Sequence, residues 1–184
     1  SEARGTIVAE LGELPRWNLS DLYAGPECKE LQSDIADARD RARSLSESYA
    51  GKVALLDGAL LGQLIADYEA VKEILGRLTS YAYLRYCTNM EDPDTARFFQ
   101  NLSEAATEIS SDLLFLTLEL NRIDDDDLNS RLDAAQLAHY RSWLRDVRAY
   151  RPHQLSDDLE RLLHEKQVSG RASWMRLFDE TVAA

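Results

Sequence analysis

The stretch that decides the fold runs from Asp57 to Thr88, DGALLGQLIADYEAVKEILGRLTSYAYLRYCT. Its residues Leu61, Leu64, Tyr68, Val71, Leu75, Leu78 and Ala82 recur at steps of three and four, which keeps them on one face of an α-helix. Asp57, just before the stripe, is a good N-cap, because its carboxylate can accept from the free N–H groups of the first turn. At 1.5 Å per residue such a helix is about 48 Å long. Gly62 and Gly76 weaken it, and a bend is expected near Gly76. Asn89 to Asp92 reads as a turn, with Pro93 just inside the next start. Phe99, Leu102, Ala106, Ile109, Leu113, Leu116 and Leu120 then repeat the pattern. Two long amphipathic helices joined by so short a turn form an antiparallel hairpin.

On the amino-terminal side, Gly25-Pro26 opens another long helix, because Pro suits the first helical position. Its stripe is Leu31, Ile35, Ala38, Ala42, Leu45 and Tyr49, and Gly51 is a natural stop. Before it, Ser1 to Leu14 reads as loosely ordered. Leu14 to Tyr23 carries large apolar residues that pin the segment to the body. On the carboxy-terminal side the pattern shortens. Asp124 to Asp127 separates the hairpin from a weak helical stretch near Leu128 and Leu132. A helix follows through Leu137, Tyr140, Leu144 and Val147, broken at Arg151 to Gln154. Ser156 caps the next, with Asp157 and Asp158 in the first turn, where the helix dipole favours negative charge. Gly170 ends it, and a last short helix carries Trp174, Leu177 and Phe178. These three share a face and are expected to pack on the two helices before them. Leu60, Ile65, Phe98 and Phe115 lie beside or off the main stripes of the hairpin and are expected to carry any docking surface.

The reading is therefore all-α: an elongated antiparallel bundle of long helical hairpins followed by shorter helices. An extended segment covers 1–25 and a single helical domain covers 26–184. Long helices are expected at about 26–50, 57–88 and 93–121, and shorter ones at about 134–150, 156–169 and 172–181. Only 8 Gly and 4 Pro interrupt 184 residues, which suits long helices better than a sheet full of turns.

Charge and composition narrow the function classes. With 33 acidic and 21 basic residues the formal net charge is -12, so a nucleic-acid partner is excluded, since phosphate binding needs a basic surface. No stretch reaches the roughly 18 apolar residues of a membrane span, and no membrane partner is expected. Ser1 to Glu13 contains Arg4 but no apolar run of a secretory leader, and Cys28 and Cys87 are too few for a disulfide framework. A cytoplasmic location is the expectation.

Motifs that could carry chemistry fail on spacing. His164-Glu165-Lys166-Gln167-Val168 has the first His and the Glu of a zinc-peptidase helix, but Val168 stands where the second His is needed. None of His139, His153 and His164 has a Glu three residues before it, as a di-iron bundle requires. Counted from Asp124 as a calcium loop, positions six and twelve are Asn129 and Ala135 instead of Gly and Glu. No phosphate loop or nucleophile elbow occurs. Arg141, Arg145, Arg148 and Arg151, with Asp146 among them, read as a salt-bridged helix face, with an anion or peptide-carboxylate site as the sharper alternative. Tyr81, Tyr83 and Tyr86 are more readily core than groove. No catalytic, cofactor-binding or metal-binding residue is assigned.

Three stretches carry a family resemblance. Trp17-Asn-Leu-Ser-Asp-Leu-Tyr23 resembles the opening signature of oligoendopeptidase F-type peptidases. Tyr81-Ala-Tyr-Leu84 with the Asp92-Pro-Asp94 turn is similar to their second hairpin. Arg151-Pro-His-Gln-Leu-Ser156, then Glu160, Leu162, Leu163, Gly170, Ser173-Trp174 and Leu177-Phe-Asp-Glu180, resembles the run that closes their amino-terminal region. The resemblance implies the non-catalytic amino-terminal helical domain of an oligopeptide-cleaving zinc metalloendopeptidase. Such a domain helps to wall the substrate cavity and limits entry to short peptides. No cofactor is implied for this chain. Zinc is implied for a carboxy-terminal catalytic domain, which with short peptide substrates makes up the expected partners. The alternative from another class is a free-standing helical interaction module without enzymatic activity. A His-Glu-x-x-His segment farther along the gene separates the two.

Overall fold

The computed structural model describes residues 17–183. Residues 1–16, including the part of the extended amino-terminal segment expected there, lie outside the described residues. The fold is an all-α bundle, with no strand among the described residues. Three long helices form its body: α1 (Lys29–Tyr49), α2 (Gly58–Thr88) and α3 (Pro93–Arg122). They pack side by side, each against the other two. Shorter helices follow, namely α4 (Asp125–Arg131), α5 (Arg141–Ala149), α6 (Asp157–Gln167) and α7 (Ser173–Ala183), with 3-10 turns at Ala135–Leu137 and Arg151–His153.

Local chemistry sets the helix ends. The Asp57 carboxylate accepts the Leu60 N–H at 2.9 Å and opens α2. Asp92 accepts the Asp94 N–H at 3.1 Å and the Thr95 hydroxyl at 2.6 Å, just before Pro93. Gly51, at φ 79°, turns the chain out of α1. A single carboxylate holds that turn to the bundle, for Glu119 of α3 accepts the N–H groups of Gly51 at 2.6 Å and Val53 at 3.1 Å. Pro26 does not start α1. It sits in a turn, and the first helical residue is Lys29, after Cys28. Ser156 stands at the N-cap of α6 without using its hydroxyl, and Glu160 instead reaches back to the Leu155 N–H at 2.8 Å.

The stripes read from the sequence converge on one core. Leu31, Ala38 and Ala42 of α1, Leu61, Leu64 and Val71 of α2, and Ile109, Leu116 and Leu120 of α3 are essentially inaccessible. α2 stays helical through Gly62 and Gly76. Gly62 has a packing reason, since a Cβ there would lie 2.5 Å from the Gln136 Cβ and 2.8 Å from its carbonyl carbon. The 3-10 turn thus runs directly over the backbone of α2. Tyr23 is buried and pins the amino-terminal segment. Its ring meets Tyr81 edge-on at 5.3 Å, and its hydroxyl donates to Asp34, which also pairs with Arg77. Burial first, and the Asp34 carboxylate second, push the Tyr23 hydroxyl up to about 12.

Four further expectations need correction. The span 134–150 is not one helix: a 3-10 turn, Ala135–Leu137, precedes the short α5. Gly170 does not simply end a helix. α6 runs into a π-turn, Val168–Ala172, kinked at Gly170, which feeds straight into α7. Trp174, Leu177 and Phe178 do not pack on the helices before them, for Trp174 is 72% and Phe178 67% exposed. Conversely, Ile65 is buried and Phe98 and Phe115 are half-buried against the core, so of the residues expected to carry a docking surface only Leu60 is largely open to solvent.

Candidate functional site

Two features stand out, both in the carboxy-terminal third. The first is the α6–α7 hairpin, whose amphipathicity is inverted. α6 packs against α3 through its polar side. His164 Nε2 lies 3.3 Å from the Thr107 carbonyl oxygen, and Glu160 and Val168 are half-buried beside it. Leu155, Leu159, Leu162 and Leu163 stay largely exposed. In α7 the half-buried residues are Ser173, Arg176 and Asp179, at helical spacing. Arg176 pairs with Gln100 of α3, and Glu180 lies 3.5 Å from the Tyr86 hydroxyl. Burial first, then the charges of Glu180 and Asp179, raise the Tyr86 pKa. The opposite side of α7 presents Trp174, Met175, Leu177, Phe178 and Val182 to solvent. A contiguous apolar patch of this kind marks a contact surface.

The second feature is a groove of about 560 Å³ between α3 and α5, within the size range of ligand pockets. Its α3 side is Leu114, Thr117, Leu118 and Asn121, and its α5 side is Trp143, Asp146, Val147 and Tyr150. Both sets follow the same one-face helical spacing, so the groove is the seam where two facing stripes diverge. His153, Gln154 and Glu160 close one end. Arg148 ties α5 to the bundle by donating to the Leu120 carbonyl at 2.7 Å and by pairing with Asp125. That pairing, with the Arg148 charge and the more distant Arg151, lowers the Asp125 carboxyl below the ordinary aspartate range.

The residues tested as motifs fall on separate elements. Arg141 lies 3.6 Å from Asp133, Arg145 3.1 Å from Asp146 and Arg151 3.2 Å from Asp125, so the arginine run forms ion pairs within this chain. Asp124 caps α4 by accepting the Asp126 N–H at 2.9 Å. Tyr81 and Tyr86 are buried, and Tyr86 stacks on Phe99 at 5.1 Å. His139 packs on Tyr140, His153 borders the groove and His164 faces α3. Asn121 and Trp143 of the groove were not singled out from the sequence. A polar residue where an apolar stripe ends was the available signal at Asn121.

This region is also where known proteins match. The family model described as Oligopeptidase F matches residues 119–184. Over 167 residues the chain is 32% identical to Oligopeptidase PepF of Bacillus subtilis, an alignment covering 85% of this chain and 23% of that protein. By both matches the chain is similar to an amino-terminal region of the oligopeptidase F type. It spans about a quarter of the length of the curated relative it matches. No solved structure matches it.

The oligopeptidase F match begins near the end of α3 and takes in the groove end, α4, α5 and the whole inverted hairpin. Among the described residues no group of three or more His, Cys, Asp or Glu side chains is placed to hold a metal ion. These residues do not fit the zinc that an oligopeptidase of this family implies, and no chemical step is assigned to them. No helix among the described residues is long and apolar enough to cross a membrane.

Proposed function

We propose that this chain is the non-catalytic amino-terminal helical domain of an oligopeptide-cleaving zinc metalloendopeptidase. Residues 1–25 serve as its lead-in segment and 26–184 as one helical unit. Zinc and its ligands belong to a carboxy-terminal catalytic domain of the same protein, which acts on short peptides in the cytoplasm. The helical unit docks on that domain and helps to wall the cavity. The outward apolar face of α6–α7 carries this reading. A helix that turns Arg176 inward and Trp174 and Phe178 outward is built to be covered by further protein. The 23% share of the B. subtilis relative leaves ample chain to do so.

Leu163→Asp combined with Trp174→Asp tests the reading. In the full-length protein the pair is expected to abolish most peptide cleavage. In sedimentation of the chain with a separately made carboxy-terminal portion, it is expected to weaken association at least about a hundredfold. Burying each large side chain stabilises a contact by roughly 1.5–3 kcal/mol. Well-folded pieces that stay apart at micromolar concentration, or an unchanged association of the variant, overturn the docking role. A parent protein without a zinc motif overturns the peptidase reading.

A further inference from the structure

α6 and α7 do not fit one uninterrupted α-helix, although the chain runs from one straight into the other. An α-helix turns by about 100° per residue. Within α6 the exposed apolar set is Leu159, Leu162 and Leu163. In α7 it is Trp174, Met175, Leu177, Phe178 and Val182. In a single α-helix the centres of these two sets would point about 100° apart. The bundle-facing sets, Glu160 and His164 against Ser173, Arg176 and Asp179, would be out of step in the same sense. Yet both apolar sets face solvent and both polar sets face the bundle. One surplus residue accounts for the mismatch, and the π-turn Val168–Ala172 absorbs one. The Ser173 hydroxyl donates at 2.8 Å to the Val168 carbonyl, five residues back, and Gly170, at φ -100° and ψ -106°, leaves the helical path. A Cβ at Gly170 would meet nothing within 4 Å, so no neighbour crowds the turn into place.

We propose that the π-turn is a register device: it brings the apolar faces of α6 and α7 into line, so that both helices dock together on one continuous surface of the carboxy-terminal catalytic domain. The inference rests on the docking reading above and adds how the docking face is built. The aligned face runs from Leu159 to Val182, about 35 Å at the helical rise. With the turn in place, the side of α7 that sets Arg176 on Gln100 of α3 also sets Phe178 in line with the leucines of α6. Without it, α7 would either leave those bundle contacts or turn its apolar face about 100° away from that of α6. A partner could then cover one helix or the other, but not both with one surface. The alignment covers 23% of the B. subtilis relative, so most of such a protein is left to supply that surface.

Two changes of chain length separate a register device from a loose hinge. Deleting Gly170 removes the surplus residue and is expected to give one unbroken helix with both faces still in line. Inserting an alanine between Gly170 and Arg171 is expected to roll α7 by about 100°. The first readout is the rate of thiol labelling at Phe178→Cys and at Arg176→Cys, each made with Cys28→Ser and Cys87→Ser. In the parent and in the deletion Phe178→Cys labels faster, because Phe178 is exposed and Arg176 half-buried. In the insertion Arg176 takes the place of Leu177 and Phe178 that of Asp179, so the order reverses. The second readout is sedimentation with a separately made carboxy-terminal portion. Association is expected to stay within about threefold for the deletion and to fall about 10- to 100-fold for the insertion, as a large apolar side chain leaves the contact. A parent chain that does not associate overturns the docking reading, while the labelling order still decides the register. A deletion that levels or reverses that order, a deletion whose α7 loses its helix by hydrogen exchange, or an insertion that keeps the parent order overturns the register device.

Discussion

α2 and α7 obey the same spacing rule with opposite results. In α2, Leu64, Val71, Leu75 and Leu78 vanish into the core, and Lys72, Glu73 and Arg77 meet solvent. In α7, Trp174, Leu177 and Phe178 form as clear an apolar face, yet the bundle takes the polar side: Ser173, Arg176 and Asp179. Periodicity reveals that a helix has two faces. Which of them meets the rest of this chain depends on what else is present to bury. For α2 the complementary stripes of α1 and α3 lie within the chain, whereas no complementary stripe remains for α7 after α3 has closed on α1 and α2.

The sharpest way to break this comparison is to truncate both faces. Leu116→Ala removes a fully buried side chain of α3 and is expected to cost roughly 2–5 kcal/mol. Trp174→Ala removes a larger side chain, yet is expected to change the stability of the isolated chain by no more than about 0.5 kcal/mol. Urea unfolding followed by far-UV circular dichroism checks both. A Trp174→Ala loss comparable to that of Leu116→Ala would mean that α7 packs inward after all.

Two glycines of α2 sharpen it at smaller scale. Gly62→Ala forces a Cβ onto the backbone and Cβ of Gln136 and should cost about 1–3 kcal/mol. Gly76→Ala meets nothing within 4 Å, so helix propensity decides, and a gain of about 0.5–1 kcal/mol is expected. Opposite shifts in melting temperature are the measurement, and shifts of the same sign would contradict the close approach at Gly62.

The smallest effect is expected at the Asp125–Arg148 pair, which joins α4 to α5. Asp125 has a lowered folded pKa because Arg148 donates to it and lends its charge. A carboxylate of this kind contributes stability above its unfolded pKa, about 3.9, and loses it as the pH falls through the lower folded value. Asp125→Asn should therefore melt slightly below the parent chain at pH 6, and the gap should close as the pH drops toward 3. A gap that widens in acid would reverse the assignment.

The long helices were legible because each carries an uninterrupted stripe with an Asp cap or a Gly stop. Pro26 misled because proline suits the first helical position but also ordinary turns, and here Cys28 precedes the first helical residue. The span 134–150 misled because Leu137, Tyr140 and Leu144 hold helical spacing across a 3-10 turn and a new helix start, which the pattern of buried residues does not register. The docking face was sought on Ile65, Phe98 and Phe115, and these are covered by helices whose positions depend on the tertiary arrangement. The α3–α5 groove became visible only once α3, α5 and the turn after it were placed together.

The inverted hairpin also sets the colloidal behaviour of the chain. At neutral pH a formal charge of -12 keeps copies apart despite the bare tryptophan, phenylalanine and leucines of α6 and α7. Near the isoelectric point of about 4.7 that repulsion disappears while the greasy surface remains. Mildly acidic, salty buffers, which screen what charge is left, are therefore where this otherwise well-packed bundle comes out of solution.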